Sequence, residues 1–233
     1  MIITDIIAEL NTLCDSNDTS YPSADKLRRI NFAYEYIIML IQGCDGLWQF
    51  DDQNYTDFPI GTTTLVNSQN DYAFDSAMLE IERAEVKDIS GIWQILYPID
   101  KSQINEAIDE FYKTDGLPLY YDKQGASIIL YPAPDNGVSV TLASGLKIYF
   151  KRTASIFTAA EVTTGTKVPG FASPYHMILA YMAAIPYCQS YKKDRVPMLM
   201  AEVERLKKLI IQHYGRREQD RRKLITTAGI NHR

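Results

Sequence analysis

Asp115-Gly116-Leu117-Pro118-Leu119-Tyr120-Tyr121 opens the stretch, residues 115–152, around which this chain is organised. Asp115 to Pro118 breaks a preceding helical pattern. Leu119-Tyr120-Tyr121, Ser127-Ile128-Ile129-Leu130-Tyr131 and Leu146-Lys147-Ile148-Tyr149-Phe150 then follow as β-branched and aromatic runs. Between them, Asp122-Lys123-Gln124-Gly125, Pro132-Ala133-Pro134-Asp135-Asn136-Gly137 and Ala143-Ser144-Gly145 are turn chemistry, so the spacing predicts antiparallel hairpins. No Ser, His or Cys there stands beside a base. The stretch reads as scaffold.

Working outward, the pattern changes to helices on both sides. Ile3, Ile6, Ile7, Leu10 and Leu13 recur at helical spacing and predict a helix over 3–14. Ser23 is the expected N-cap of a second helix ending near Gln42, with Leu27, Ile30, Tyr34, Ile37, Ile38 and Ile41 as its apolar stripe. Lys26, Arg28 and Arg29 fall in its first turns, where the helix dipole disfavours cations; they are either a solvated face or an answer to something outside the helix. From Gly46, short runs (47–50, 55–58, 62–66, 72–74) are strand-like, and 78–86 and 92–99 form two longer strands around Asp88-Ile89-Ser90-Gly91. Ser102 to Tyr112 reads as a short helix capped by Ser102, and Thr153 to Lys167 as a long exposed loop. Val168 to Tyr191 is twenty-four residues without a formal charge. Its prolines, His176, Gln189 and Ser190 argue against a membrane span, and a helix apolar on all sides belongs at the centre of a bundle, kinked or ended by Pro186. Pro197 opens the last helix, with Leu199, Val203, Leu206, Ile210 and Tyr214 on one stripe.

The fold class is therefore α+β. A helical bundle formed by residues 1–45 and 153–214 carries an inserted antiparallel β-rich region, 46–152, and an extended basic tail, 215–233. Charge separates the same way. Residues 192–233 hold twelve Lys or Arg against five Asp or Glu, a net of +7, while residues 1–191 hold twelve against twenty-four, a net of -12. An acidic body with a basic end predicts a tail whose partner is an acidic surface, including that of another copy.

No motif of catalysis or cofactor binding is complete. Asp15 to Ser20 begins like a calcium loop, but Ser20 stands where Gly is needed and Lys26 where the bidentate Glu belongs. Gly165 and Gly170 have P-loop spacing, yet Phe171-Ala172 replace Lys-Ser/Thr. Glu80, Glu82 and Glu85 lack a paired nucleophile or base, and His176 lacks a second ligand at helical spacing. Cys14, Cys44 and Cys188 have no short spacing and are expected as small buried thiols. No catalytic residue, cofactor or metal is expected.

The wording of the central stretch nevertheless carries a resemblance. Gly116-Leu117-Pro118, Tyr120, Ile128 to Leu130 with Tyr131-Pro132-Ala133-Pro134-Asp135, and Ile148-Tyr149-Phe150-Lys151 together resemble tailed-bacteriophage head-tail connector (adaptor) proteins. In those proteins a strand ends in a Tyr-Pro-x-Pro turn and a later strand ends in an aromatic followed by a base. The resemblance extends to Val168-Pro169-Gly170-Phe171-Ala172-Ser173-Pro174-Tyr175-His176, a loop entering a small-residue helix, and with the two N-terminal helices it covers most of the chain. It implies a structural virion protein at the head-tail junction, assembled in the host cytoplasm as a ring, usually a dodecamer. Such a ring lies beneath the portal, extends the DNA channel without sequence-specific binding, and meets tail or second-ring proteins. It also implies that the C-terminal segment docks on the portal or a neighbouring subunit, which makes Arg216, Arg217, Arg221, Arg222 and Lys223 the expected interaction residues. Two other classes compete. A nucleic-acid-binding module would use the Arg-rich tail and tyrosine stacking, and an enzyme would need a site that none of these signatures supplies.

Overall fold

The structure, a computed structural model, describes residues 1–44, 53, 59–73, 77–104, 110, 112–125 and 127–215. Two compact units emerge: Met1–Gln53 with Ala154–Arg233, and Asn54–Thr153. The first is helical and the second is a sheet, so the chain is α+β.

In the helical unit, α1 (Ile3–Cys14) buries Ile3, Ile6, Leu10 and Cys14, one residue per turn on one face. Each aliphatic side chain so buried contributes about 1.5–3 kcal/mol. Asp15 stops the helix in a left-handed conformation, and Arg195 donates to the Leu13 carbonyl at 2.7 Å, meeting a C-terminal oxygen that the helix cannot satisfy. Helix α2 (Ser23–Gln42) begins one residue earlier than expected of its cap: Pro22, not Ser23, is the N-cap. The Pro22 carbonyl already accepts from Asp25 and Lys26, each at 3.0 Å, which makes Ser23 the first helical residue.

The segment after Thr153, expected as a long exposed loop, is largely exposed but carries a short helix of its own, α3 (Ala159–Thr164), none of whose residues is buried. Thr158 and Glu161 close a capping box around its start, and Phe157 is buried with its backbone N–H and C=O both bonded to the Asn31 carboxamide. Helix α4 (Met177–Tyr191) packs against α1, α2 and α5 (Val196–Gly215). Its Ala180, Ala183 and Ala184 are buried, and these small side chains let the neighbouring helices approach closely. Pro186 lies inside α4 without ending it, and among the described residues no helix is long and apolar enough to cross a membrane.

In the second unit, seven strands follow the order β1-β7-β3-β4-β5-β6-β2: β1 (Ile60–Thr63), β2 (Asp71–Ala73), β3 (Met78–Lys87), β4 (Trp93–Pro98), β5 (Tyr120–Gln124), β6 (Ser127–Tyr131) and β7 (Leu146–Arg152). The two edge strands are consecutive in sequence, joined by residues 64–70, so the sheet curls. All pairs are antiparallel except β4 with β5. The hairpin of β5 and β6 forms as expected, but β7 does not join it. After β6, Pro132 and Pro134 cannot donate to a ladder, and β7 pairs instead with β1 and β3. Inward-facing Leu146, Ile148 and Phe150 alternate with outward Lys147, Tyr149 and Lys151, as a half-buried strand requires. Gly145 admits no other residue, since a Cβ there would meet the Thr141 carbonyl oxygen at 1.9 Å.

Ser102 does not cap a helix: Asp100 caps a single 3-10 turn, Lys101–Gln103, accepting the Ser102 N–H at 2.9 Å. The rest of that expected helix, residues 105–109 and 111, and the expected strands 47–50 and 55–58 lie outside the described residues.

Candidate interaction surfaces

The candidate residues of the basic tail, Arg216, Arg217, Arg221, Arg222 and Lys223, lie outside the described residues; the last described residue is Gly215, the end of α5. One residue earlier, the Tyr214 hydroxyl accepts the Ala172 N–H at 2.9 Å. The Tyr34 hydroxyl accepts the Gly170 N–H at the same distance. Two tyrosines on two helices thus hold the loop that enters α4. These amides are the ones a phosphate would need at a P-loop, and they are already occupied.

His176 closes the same loop. It is 1% exposed, its Nε2–H donates to the Phe171 carbonyl at 2.7 Å, and Nδ1 lies 3.1 Å from the Met1 amino nitrogen, from which it accepts. Burial holds its pKa below the ordinary 6.5, so the ring is neutral near pH 7. It is a hydrogen-bonded core residue, and among the described residues no group of three or more His, Cys, Asp or Glu is placed to hold a metal.

Lys26 is fully buried with its ammonium 2.7 Å from Asp18. Asp18 belongs to the loop that begins like a calcium site, in which the Asn17 carboxamide accepts the N–H groups of Thr19 and Ser20, each at 3.0 Å. The loop has a cation of its own: the residue at the twelfth position supplies an ammonium to a loop carboxylate. That hydrogen bond is the main reason the Asp18 pKa is lowered. Lys26 therefore answers neither to solvent nor to an outside partner, and Arg28 pairs with Asp25 at 2.7 Å. Arg29 makes no ion pair among the described residues.

The three carboxylates of β3 are likewise occupied. Lys151 bridges Glu80 at 3.0 Å and Glu82 at 2.7 Å, while Glu85, 5% exposed, takes Lys147 at 2.7 Å and Arg83 at 2.6 Å. Strict alternation cannot put Glu80 and Glu85 on one face, but the register shift between Ile81 and Arg83 does. Burial alone would raise the Glu85 pKa; the Lys147 and Arg83 contacts outweigh it and hold Glu85 below the ordinary value of 4.5. A carboxylate kept ionised this firmly is a poor general acid. Lys147 also lies 4.1 Å from the centre of the Trp93 ring, tying β7 to β4 across β3.

Two further features emerge only in the structure. Cys14 and Cys188 meet at 4.0 Å between α1 and α4, both fully buried and free. Burial, reinforced by Cys188, pushes the Cys14 thiol up to about 12. The second is a row on the outer side of α2, Phe32, Tyr36 and Met39, which are 56%, 42% and 65% exposed. Its spacing of four and three residues was visible in the sequence, but the stripe of Ile30, Tyr34, Ile37 and Ile41 on the opposite face had already accounted for the helix.

Charges consumed in ion pairs and amides held by tyrosines are the chemistry of a structural scaffold. The chain belongs to the SU10 adaptor protein family, whose sequence model matches residues 1–228. A comparison with curated proteins returns no match. The family is one of phage adaptors, so the protein is a structural component of a bacteriophage virion, of the kind that the wording around Tyr131-Pro132 and Val168–His176 resembles.

Proposed function

We propose that this protein forms an adaptor ring, a dodecamer on the resemblance, between the portal and the tail of a tailed bacteriophage. The family match over residues 1–228 carries this reading. In it, residues 1–45 and 153–214 build a helical wall, 46–152 form a β-rich insertion, and 215–233 reach to the portal or the next subunit. The arginine forks of Arg216, Arg217, Arg221 and Arg222, with Lys223, pair with carboxylates there. The acidic body, -12 over residues 1–191, suits a channel that DNA must traverse without adhering. Assembly takes place in the host cytoplasm, and the finished ring sits at the head-tail junction.

The test is a binding titration of the full chain against its portal, beside a variant with Arg216, Arg217, Arg221, Arg222 and Lys223 all changed to Glu. Loss of binding in the variant supports docking through the tail. Unchanged binding removes the tail from the interface. If the full chain ignores the portal but binds single-stranded or duplex DNA with an affinity that falls steeply with salt, the tail is a nucleic-acid-binding element instead.

A further inference from the structure

We infer that the outer row of α2, Phe32, Tyr36 and Met39, is the surface on which the next copy of this chain seats the outer face of its α5, with the ring axis running along both helices. The inference rests on the ring reading above and assigns the lateral contact within it.

Phe32, Tyr36 and Met39 lie within about 60° of one another around the helix, directly opposite the buried stripe. An apolar row on the solvent side of an otherwise amphipathic helix marks a contact surface. Its occupant follows from the geometry of the unit. The Tyr21 hydroxyl donates to Ala183 in the middle of α4, while Tyr34 bonds Gly170 just before α4, so α2 runs antiparallel to α4. Helix α5 turns back after α4, and Tyr214 near its end bonds Ala172, so it too is antiparallel to α4. Hence α2 and α5 are parallel. Lys207 lies 4.8 Å from the centre of the Tyr36 ring, which sets the two at one level.

Rotation about an axis along the helices preserves level, and both helices rise by the same amount per residue. Matching Tyr36 to Lys207 brings Met39 of one copy level with the region of Leu209 and Ile210 on the next, and Phe32 level with the region of Ala201 to Val203. The face of α5 directed away from its core carries Met198, Ala201, Arg205, Lys208 and Leu209; Met198 and Leu209 are exposed apolar residues, and Ala201 leaves room for a ring. Glu35 falls level with the turn between Arg205 and Lys208. Arg205 is held by Glu202 at 2.8 Å, whereas Glu35 and Lys208 are exposed and form no ion pair among the described residues. At one level, then, an unpaired anion beside the apolar row meets an unpaired cation beside its counterpart. That is the sign complementarity a head-to-tail ring contact needs.

The test is disulfide cross-linking of the full-length chain in a Cys44→Ser background, oxidised with copper-phenanthroline over a protein concentration series. Met39→Cys combined with Leu209→Cys should give a ladder of multimers, because every copy offers both halves of the contact; either cysteine alone should stop at dimers. In the paired-cysteine chain, Glu35→Lys or Lys208→Glu should lower ladder yield about tenfold, and the two together should restore it. Circular dichroism checks that each variant keeps its helices. Absence of a ladder, or no rescue by the double charge exchange, overturns the assignment. If that chain still forms a ring-sized complex with portal, only this surface is wrong; if it forms none, the adaptor ring itself fails. A cross-link from Met39→Cys to the portal in place of a second copy also overturns it.

Discussion

The helical unit and the β unit stabilise their backbones by different means. In the first, an apolar stripe on each helix meets α4, and the irregular loop before α4 is held by buried neutral groups: two tyrosine hydroxyls and the His176 imidazole. In the second, a curled sheet carries a lattice of opposite charges on its outer face, centred on Glu85, with a tight turn at Gly145. The difference teaches where each is vulnerable. Neutral anchors fail when they gain a charge or lose their packing, and a charge lattice fails when its carboxylates are neutralised.

The largest expected effect is in the helical core. Ile37→Ala, at a fully buried position on α2, should cost about 3 kcal/mol of helical-unit stability. Urea unfolding followed by far-UV circular dichroism reads it, with Trp93 fluorescence, in a Trp48→Phe background, reporting the β unit. Simultaneous loss of both signals would show that the two units unfold as one. The mirror-image change is Gly145→Ala, whose Cβ would collide with the Thr141 carbonyl. It should cost the β unit about 2 kcal/mol or more, reported by Trp93, while the helical signal stays in place.

Acid should separate the units next. The stability carried by neutral His176 is complete above pH 6.5 and is lost as pH falls from 6.5 toward its lower folded pKa, since the unfolded chain binds the proton first. The stability carried by ionised Glu85 is complete above 4.5 and is lost only as pH falls through its lower folded pKa. A pH series of unfolding curves should therefore weaken the helical unit before the β unit. His176→Gln should abolish the earlier step, and an unchanged profile in that variant would contradict the assignment. The smallest effect is on the thiols. With a thiol-specific reagent at mildly alkaline pH, partly exposed Cys44 should react first, and Cys14 and Cys188 only on unfolding.

The same contrast explains what could be read from the residues alone. Helices α1, α2 and α5 were legible because their stripes are local: Ile3, Ile6 and Leu10 need no partner to declare a face. The central place of α4 followed from its lack of charge. Strand pairing was legible only where a short turn joins the partners, as at Gly125 between β5 and β6. The choice of β7 to join β1 and β3 depends on residues far away in sequence and on two prolines acting by what they cannot donate. The capping signal of α3 is local but faint: Thr158 and Glu161 lie within a run of Thr and Ala. At the candidate surfaces, the charge count located the basic tail, whereas the burial of Lys26 and the meeting of Cys14 with Cys188 are tertiary facts without a local signature.

The most direct test of the account is the mass of the protein in solution, alone and with its portal, for the full chain and for a version ending at Tyr214. The account predicts a ring-sized complex with the full chain and loss of that complex on truncation. A full chain that stays monomeric beside the portal, or a truncated chain that assembles as well as the full one, would contradict it.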